Sequence, residues 1–170
     1  TARAGNCIGG GDWTKFRILT DSSEAFLKNK NLLVRNPKSV RPWQHVLEPL
    51  LGYIILAQKN FLNINPKFNG SWNFGPVNRK HLNVRDFVNL YKKKLKSKSK
   101  IIFEKKSDNR EKNYLDLSSN KSIKLLKWKP FLNIDQTLEL TANWYLSYKQ
   151  KKDLFLVSSD QIKYFTKLIK

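Results

Sequence analysis

Arg35 and Arg41 lie six residues apart, on either side of a turn that contains Pro37. A guanidinium group has forked N–H donors that match phosphate oxygens better than the point charge of a lysine does. The stretch therefore predicts an anion-binding loop that runs into a helix, with phosphate as the expected ligand. Arg41 is the stronger candidate, whereas Arg35 could either bind phosphate or hold the loop through Glu48 or Asp12.

Trp43 and His45 stand at the entrance to that helix, where a ring could stack on a ligand or an imidazole could move a proton. Residues of these types at a helix entrance more often pack and cap. We therefore expect both of them to support the loop without binding the ligand themselves. Cys7 occupies an apolar position and is predicted to be an inert buried thiol.

The net charge of +20 permits binding to nucleic acid or to a membrane surface. Lysine supplies 26 of the 33 positive charges, and lysine, asparagine and isoleucine are abundant together, as an A/T-rich coding sequence would produce. We interpret most lysines as solvated surface for this reason. The alternative is a nucleic-acid-binding protein that uses the basic patch at residues 92–100.

Cysteine, histidine and apolar content limit the class of protein further. One cysteine excludes an internal disulfide, and two isolated histidines with one thiol provide no metal-ligand cluster. No apolar stretch has the length of a membrane span and the first residues do not resemble a signal peptide, so we expect a cytoplasmic protein with no membrane partner. A length of 170 residues with 40 % apolar content favours one domain over residues 1–170.

Apolar periodicity predicts short strands that alternate with helices, and hence a small mixed α/β layer that packs on something else. Asn83 with Asp86 predicts one helix start, and Ser158 with Gln161 predicts another. The second helix is expected to be mostly buried because its apolar residues cover a wide face. Strands are predicted at residues 2–6, 32–34, 70–76 and 101–103, and helices at 21–29, 45–61, 84–95, 119–126, 134–151 and from 158 onwards.

The run Arg-Ala-Gly-Asn-Cys-Ile-Gly-Gly-Gly-Asp-Trp at residues 3–13, taken with the Arg35 to Arg41 turn, resembles the nucleotide-sugar-binding half of the extended short-chain dehydrogenases/reductases. Within that family it is most similar to the CDP-glucose 4,6-dehydratases. The resemblance covers nearly the whole chain and is strongest at residues 3–53, 72–76, 114–117 and 144–145. Agreement in order and spacing at several separate places makes it specific.

The resemblance implies a substrate-binding role for Asn6, Arg17, Arg41 and Asn73, with Arg41 on the diphosphate and Arg17 near the nucleotide. Each has a plainer alternative: Asn6 could cap a turn, Arg17 could be a surface residue, and Asn73 could bond strand backbone. The run around Arg17 lacks the acid and the proline found in the family. Arg110 and Glu111 replace the family's His-Glu, so recognition of the base is open there.

Enzymes of this kind begin with a Rossmann domain, whose Gly-x-x-Gly-x-x-Gly turn binds NAD and which is followed by a catalytic Tyr-x-x-x-Lys pair. The glycines at residues 9–11 lack that spacing and are predicted to form a flexible loop at the mouth of the substrate site. Tyr148 and Lys152 match only the spacing of the catalytic pair, in a late helix. We therefore expect a C-terminal fragment of an enzyme, with no catalytic or cofactor-binding residues of its own.

For the whole enzyme the resemblance implies a lyase that converts CDP-glucose to CDP-4-dehydro-6-deoxyglucose and water in the synthesis of deoxysugars and O-antigen lipopolysaccharide. NAD would be bound mainly by the N-terminal half, and the full-length enzyme would be a homo-oligomer. This chain alone is expected to be inactive and to need an N-terminal Rossmann half as a partner if that half is encoded separately. A non-functional gene remnant is a further alternative, with which the departures at Phe16 and Thr20 are compatible.

Overall fold

The computed structural model describes residues 1–62, 66–77, 82–104 and 113–169. Helices and short strands alternate along the chain, which confirms the predicted mixed α/β class. In chain order the elements are β1 (Ala2–Ala4), β2 (Asn6–Ile8), α1 (Ile18–Leu27), β3 (Leu32–Val34), β4 (Trp43–His45), α2 (Leu47–Leu62), a 3₁₀ turn (Pro66–Phe68), β5 (Trp72–Phe74), α3 (Val84–Lys94), β6 (Ile101–Phe103), α4 (Asn120–Leu126), α5 (Ile134–Lys149) and α6 (Leu154–Ile169).

The six strands form three parallel pairs, β1 with β5, β2 with β4 and β3 with β6. β1 and β2 are separated by Gly5 alone, so one extended segment pairs first with β5 and then with β4. A Cβ on Gly5 would lie 2.7 Å from the Pro42 carbonyl oxygen, and the Gly5 amide donates to the Phe74 oxygen at 3.1 Å. Glycine is required at this crossing because two neighbouring segments approach its backbone.

Strand β4 was missed by the sequence analysis, which placed residues 43 and 44 in a loop and the helix start at His45. Three residues are too few to show a period of two, and the partner that makes β4 a strand is the distant segment β2. The strand predicted at residues 2–6 runs through Gly5 and ends two residues before the end of β2, because no local feature shows that the chain changes its pairing partner at Gly5.

The larger hydrophobic core lies between α1, α3, α5 and strands β3 and β4. Helix α3 follows the predicted pattern. The Asn83 side chain accepts a hydrogen bond from the Asp86 amide at 2.8 Å, which caps the helix. All five apolar residues of its predicted core face are buried, namely Val84, Phe87, Val88, Tyr91 and Leu95.

A smaller core forms where α2 and α4 cover β5, around Trp72, Phe74 and Trp128. Helix α2 is less buried than predicted, since only Glu48, Pro49 and Gly52 are buried along its 16 residues. The helix carries apolar side chains on all of its sides, but β4, β5 and α4 cover only one side. The outer side is exposed, with Leu50 at 44 %, Ile54 at 65 %, Phe61 at 86 % and Leu62 at 64 %.

Helix α6 begins at Leu154, and the predicted start at Ser158 is therefore wrong. The Asp153 side chain accepts hydrogen bonds from the Phe155 and Leu156 amides and caps the helix one turn earlier. Gln161, predicted to close a capping box, instead donates to the Leu140 carbonyl of α5 at 2.8 Å. No helix in the described part of the chain is long and apolar enough to cross a membrane.

Candidate nucleotide-sugar site

The β2–β4 pair positions two of the predicted site residues, Asn6 and Arg41. Asn6 opens β2 opposite Trp43, and its amide donates to the Pro42 carbonyl at 2.9 Å. Arg41 immediately precedes Pro42 and is only 8 % exposed. One of its terminal nitrogens donates to the Val40 carbonyl at 2.9 Å. Strand pairing therefore brings a half-buried amide and a buried guanidinium to the same end of β2 and β4.

Arg17 lies beyond the other end of β2, at the position before the first turn of α1. It is exposed, and its guanidinium is 3.5 Å from an oxygen of the Asp12 carboxylate. Burial alone would raise the pKa of Asp12, but hydrogen bonds from Thr14 and the Arg17 charge outweigh burial and lower it. Asp12 is therefore ionised at neutral pH and orients Arg17.

Arg35 follows β3 and is exposed. Neither of the two acids proposed to hold it serves that purpose. Glu48 is buried and its Oε1 accepts from the amides of Phe131 and Leu132 at 2.8 and 2.6 Å. Asp12 pairs with Arg17. The carboxylate that feels the Arg35 charge is Asp21 of α1, whose pKa is raised by burial against the opposing effects of the Phe16 amide and Arg35.

Asn73 lies in the middle of β5, opposite Arg3 of β1. Its Nδ2 donates to the Ser118 carbonyl at 3.3 Å, while its Oδ1 is buried without a hydrogen-bond partner. An unpaired buried carbonyl is costly in a folded protein and marks a place where a ligand or water would supply a donor. The Ser122 hydroxyl donates to the Asn73 backbone oxygen at 2.6 Å and fixes the strand.

Trp43 and His45 make packing and capping contacts. The Trp43 indole stacks on Phe87 at 4.1 Å between ring centroids and donates to the Leu82 carbonyl at 3.3 Å. The Nδ1 of His45 accepts from the Leu47 amide at 3.4 Å, and its Nε2 is buried without a partner. Burial lowers the pKa of His45 to about 4, so the imidazole is neutral at pH 7. Both side chains are buried, and these contacts hold strand β4 and the start of α2.

The glycine loop (residues 9–12) is packed against helix α5, in contrast to the free loop predicted at the mouth of the site. A Cβ on Gly10 would overlap the Trp144 ring, and the Cβ position of Gly11 lies 3.5 Å from the same indole. The Tyr145 hydroxyl donates to the Asp12 carbonyl at 2.6 Å. Sequence reasoning did not assign these aromatic residues to the site, although their resemblance to family positions was visible.

The glycine loop does not fit the dinucleotide turn of an NAD site. A dinucleotide turn needs glycines that leave an open backbone face at a helix N-terminus, and here the face of Gly10 is covered by Trp144. Residues 110 and 111, which were considered for recognition of the base, lie outside the described residues. Across residues 1–62, 66–77, 82–104 and 113–169 no three acidic, histidine or cysteine side chains are grouped as a metal site.

No family model matches the chain. Over 162 residues the chain is 35 % identical to CDP-glucose 4,6-dehydratase of Salmonella typhimurium, an alignment that covers 95 % of this chain and 45 % of that protein. Its fold is similar to UDP-glucose 4-epimerase of Thermotoga maritima in complex with UDP-glucose (TM-score 0.71, 16 % identity, 86 % of this chain and 45 % of the other). It is similar also to dTDP-glucose 4,6-dehydratase of Bacillus anthracis in complex with NAD (TM-score 0.70, 18 % identity, 89 % and 45 %).

The chain spans less than half the length of each of these proteins. The solved structures are below 25 % identical to this chain and therefore show only its fold. The similarity in sequence to CDP-glucose 4,6-dehydratase is the evidence for a common family. The chain is thus a sequence relative of CDP-glucose 4,6-dehydratase over 95 % of its own length, and its fold is similar to part of the solved nucleotide-sugar epimerases and dehydratases.

Proposed function

We propose that this chain is the substrate-binding portion of a nucleotide-sugar 4,6-dehydratase and that its substrate is CDP-glucose. The observation that carries the proposal is the burial of Arg41, which directly precedes Pro42, the residue whose carbonyl accepts the Asn6 amide at one end of the β2–β4 pair. The overall reaction would convert CDP-glucose to CDP-4-dehydro-6-deoxyglucose and water. Because the glycine loop does not fit a dinucleotide turn, the redox chemistry is assigned to the remainder of such an enzyme.

The contribution of this chain would be to hold the diphosphate and so to position the sugar. A buried guanidinium binds phosphate more strongly than an exposed one, because water competes less for its donors and screens its charge less. Arg41 is therefore expected to supply most of the electrostatic binding energy. Arg17 is exposed and shared with Asp12, so its contribution is expected to be smaller.

Asn6 and Asn73 would complete the site with neutral polar groups. Asn6 has a half-buried side chain on the strand next to Arg41, and Asn73 has a buried Oδ1 that lacks a donor. A hydroxyl group of the ribose or of the sugar would satisfy that oxygen. Arg35 is exposed and lies near Asp21, so we assign it only a secondary electrostatic role.

The proposal is tested by replacing Arg41 with alanine and measuring the dissociation constant for CDP-glucose by calorimetry. Loss of a desolvated phosphate contact should weaken binding by about 2 kcal/mol or more, which is roughly 30-fold. Arg41→Lys keeps the charge but not the forked donors, so its dissociation constant should lie between those of the parent and Arg41→Ala. Lys167→Ala removes an exposed cation from the last turn of α6 and is the control, for which unchanged affinity is expected.

Circular dichroism and thermal melting of each variant separate loss of binding from loss of folding. A folded Arg41→Ala chain with the affinity of the parent would remove Arg41 from the site. Failure of the folded parent chain to bind CDP-glucose, alone or with a Rossmann half added, would contradict the proposed function itself.

A further inference from the structure

Helix α5 also contacts the candidate site. Its residues do so through the glycine loop (residues 9–12). Trp144 and Tyr145 are adjacent in the sequence and both reach residues 10–13. Tyr145 is fully buried in the main core, so its position is set by the fold and not by the loop. Two aromatic side chains that emerge from a rigid element can therefore define the path of the loop.

The contact between Trp144 and the glycines fits closely. Any side chain at Gly10 would overlap the indole, and Gly11 has a φ of +83°, a conformation that favours glycine. The indole thus lies against two backbone units that have no side chains of their own. The glycines are required here for close packing of backbone on an aromatic ring, and they do not leave the loop free to move.

Helix α6 fixes the indole from the other side. The Trp144 Nε1 donates to the Ser158 hydroxyl of α6 at 3.1 Å, while Tyr148, one turn later on α5 itself, stacks on the indole with an interplanar angle of 4°. Gln161 ties α6 to the Leu140 carbonyl of α5. Residues near the end of the chain therefore hold the side chain against which the glycine loop packs.

Tyr145 connects the core to the charged pair at the end of the loop. Its hydroxyl donates to the Asp12 carbonyl at 2.6 Å, and the Asp12 carboxylate lies 3.5 Å from the Arg17 guanidinium. Trp13 packs edge-on against Tyr145 with centroids 5.2 Å apart. Burial raises the pKa of Tyr145 to about 12, so the phenol remains a neutral donor across the physiological range.

We propose that Trp144 and Tyr145 are positioning residues that hold the glycine loop, and through Asp12 the guanidinium of Arg17, in the geometry that receives the diphosphate of the substrate. This proposal rests on the proposed function for the identity of the ligand. The part that concerns the loop stands on the contacts of the two aromatic side chains alone. Neither residue touches the substrate, and both act through the backbone of residues 10–13.

The test is Tyr145→Phe, which keeps the ring and removes the hydroxyl that bonds the Asp12 carbonyl and also contacts the Ser23 hydroxyl. The matched control is Tyr91→Phe, because Tyr91 is also fully buried in the same core and its hydroxyl bonds the same Ser23 hydroxyl at 2.7 Å, so this variant disturbs Ser23 but leaves the bond to Asp12 in place. Hydrogen exchange of the amides of residues 9–17 is measured by mass spectrometry. We expect exchange about tenfold faster in Tyr145→Phe and unchanged in Tyr91→Phe.

Binding is measured on the same proteins with CDP-glucose. The dissociation constant should rise about three- to tenfold in Tyr145→Phe and stay constant in Tyr91→Phe, at comparable melting temperatures. Ser158→Ala, which removes the partner of the Trp144 indole, should shift exchange in the same direction by a smaller factor.

Loop exchange that is the same in Tyr145→Phe and in the parent overturns the inference, whatever the chain binds. Faster exchange with unchanged affinity for CDP-glucose also overturns it, because the loop geometry would then not serve the ligand. Absence of binding by the parent chain, with faster loop exchange in the variant, contradicts the proposed function and leaves the control of the loop by α5 supported.

Discussion

The imidazole of His45 is almost completely buried, with 2 % exposure, and its Nε2 has no hydrogen-bond partner. Burial lowers its pKa to about 4, whereas an unfolded chain would titrate near 6.5. Below pH 6.5 the unfolded state binds more protons than the folded state, so stability falls as the pH drops from 6.5 towards 4. The full shift corresponds to roughly 3 kcal/mol.

His45→Asn provides the matched comparison, because an asparagine oxygen can still accept from the Leu47 amide but does not titrate. Denaturant unfolding at pH 7.5, 6, 5 and 4 should show a steeper loss of stability in the parent than in the variant. Parallel stability curves for the two proteins would show that His45 does not control this pH dependence.

Residue types and spacing predicted that Arg41 lies in a loop before a helix entrance at Trp43 and His45, whereas the structure places Arg41 just before strand β4, which contains both of these residues. They could not predict the burial of Arg41, which depends on packing that no local pattern encodes. The partners of Glu48 were equally hidden, because its carboxylate caps the amides of Phe131 and Leu132, far along the chain.

In helix α2, packing at Gly52 reverses the general preference of helices for alanine over glycine. Alanine normally stabilises a helix by about 1 kcal/mol relative to glycine. At Gly52, however, a Cβ would overlap the Phe74 ring of β5. We expect Gly52→Ala to lower the free energy of unfolding by about 1 to 3 kcal/mol, measured by denaturant titration, because the close packing outweighs propensity.

Ala57→Gly tests propensity alone on the same helix, since residue 57 is exposed. A loss of about 1 kcal/mol is expected there. If Gly52→Ala instead stabilised the protein, the close approach of α2 to β5 would be wrong.

At the scale of single elements, prediction from the sequence succeeded for α3, where the cap and the apolar face agree. It failed for α6, where Ser158 was predicted to begin the helix but Asp153 caps it one turn earlier.

The nucleic-acid alternative depends on the positive charge of the molecule, above all on the basic patch at residues 92–100. In the basic patch at residues 92–100, Lys94 is paired with Asp135 and Glu139 at 2.8 and 2.9 Å, so it is committed to holding α3 against α5. Exposed lysines remain at positions 93, 96, 98 and 100. Non-specific nucleic-acid binding by such lysines would fall steeply with salt.

Replacing Lys93, Lys96 and Lys98 together with glutamine should therefore weaken binding to a labelled single-stranded oligonucleotide and reduce its salt dependence between 50 and 200 mM KCl, measured by fluorescence anisotropy. Affinity for CDP-glucose should be unchanged, because these residues lie outside the candidate site. Equal loss of both ligands would place the sugar nucleotide on the basic patch and contradict the assignment to Arg41.

The fold class of the whole chain could be predicted from the alternation of apolar patterns, but the three strand pairs could not, since each depends on partners remote in sequence. Ala2 meets Trp72, Asn6 meets Trp43 and Leu32 meets Ile101. Each of these strands has only three residues, so none of them shows its partner through its own pattern.

These pairings also govern how the chain can fold during synthesis. Strand β1 stays unpaired on the ribosome until β5 has emerged, and β3 waits until β6 has emerged. Such long-range parallel contacts form slowly, because loop closure must be achieved before any strand bond contributes. Until those partners emerge, β1 and β3 have unpaired edges that are open to aggregation, and yield should therefore depend on translation speed and chaperone supply.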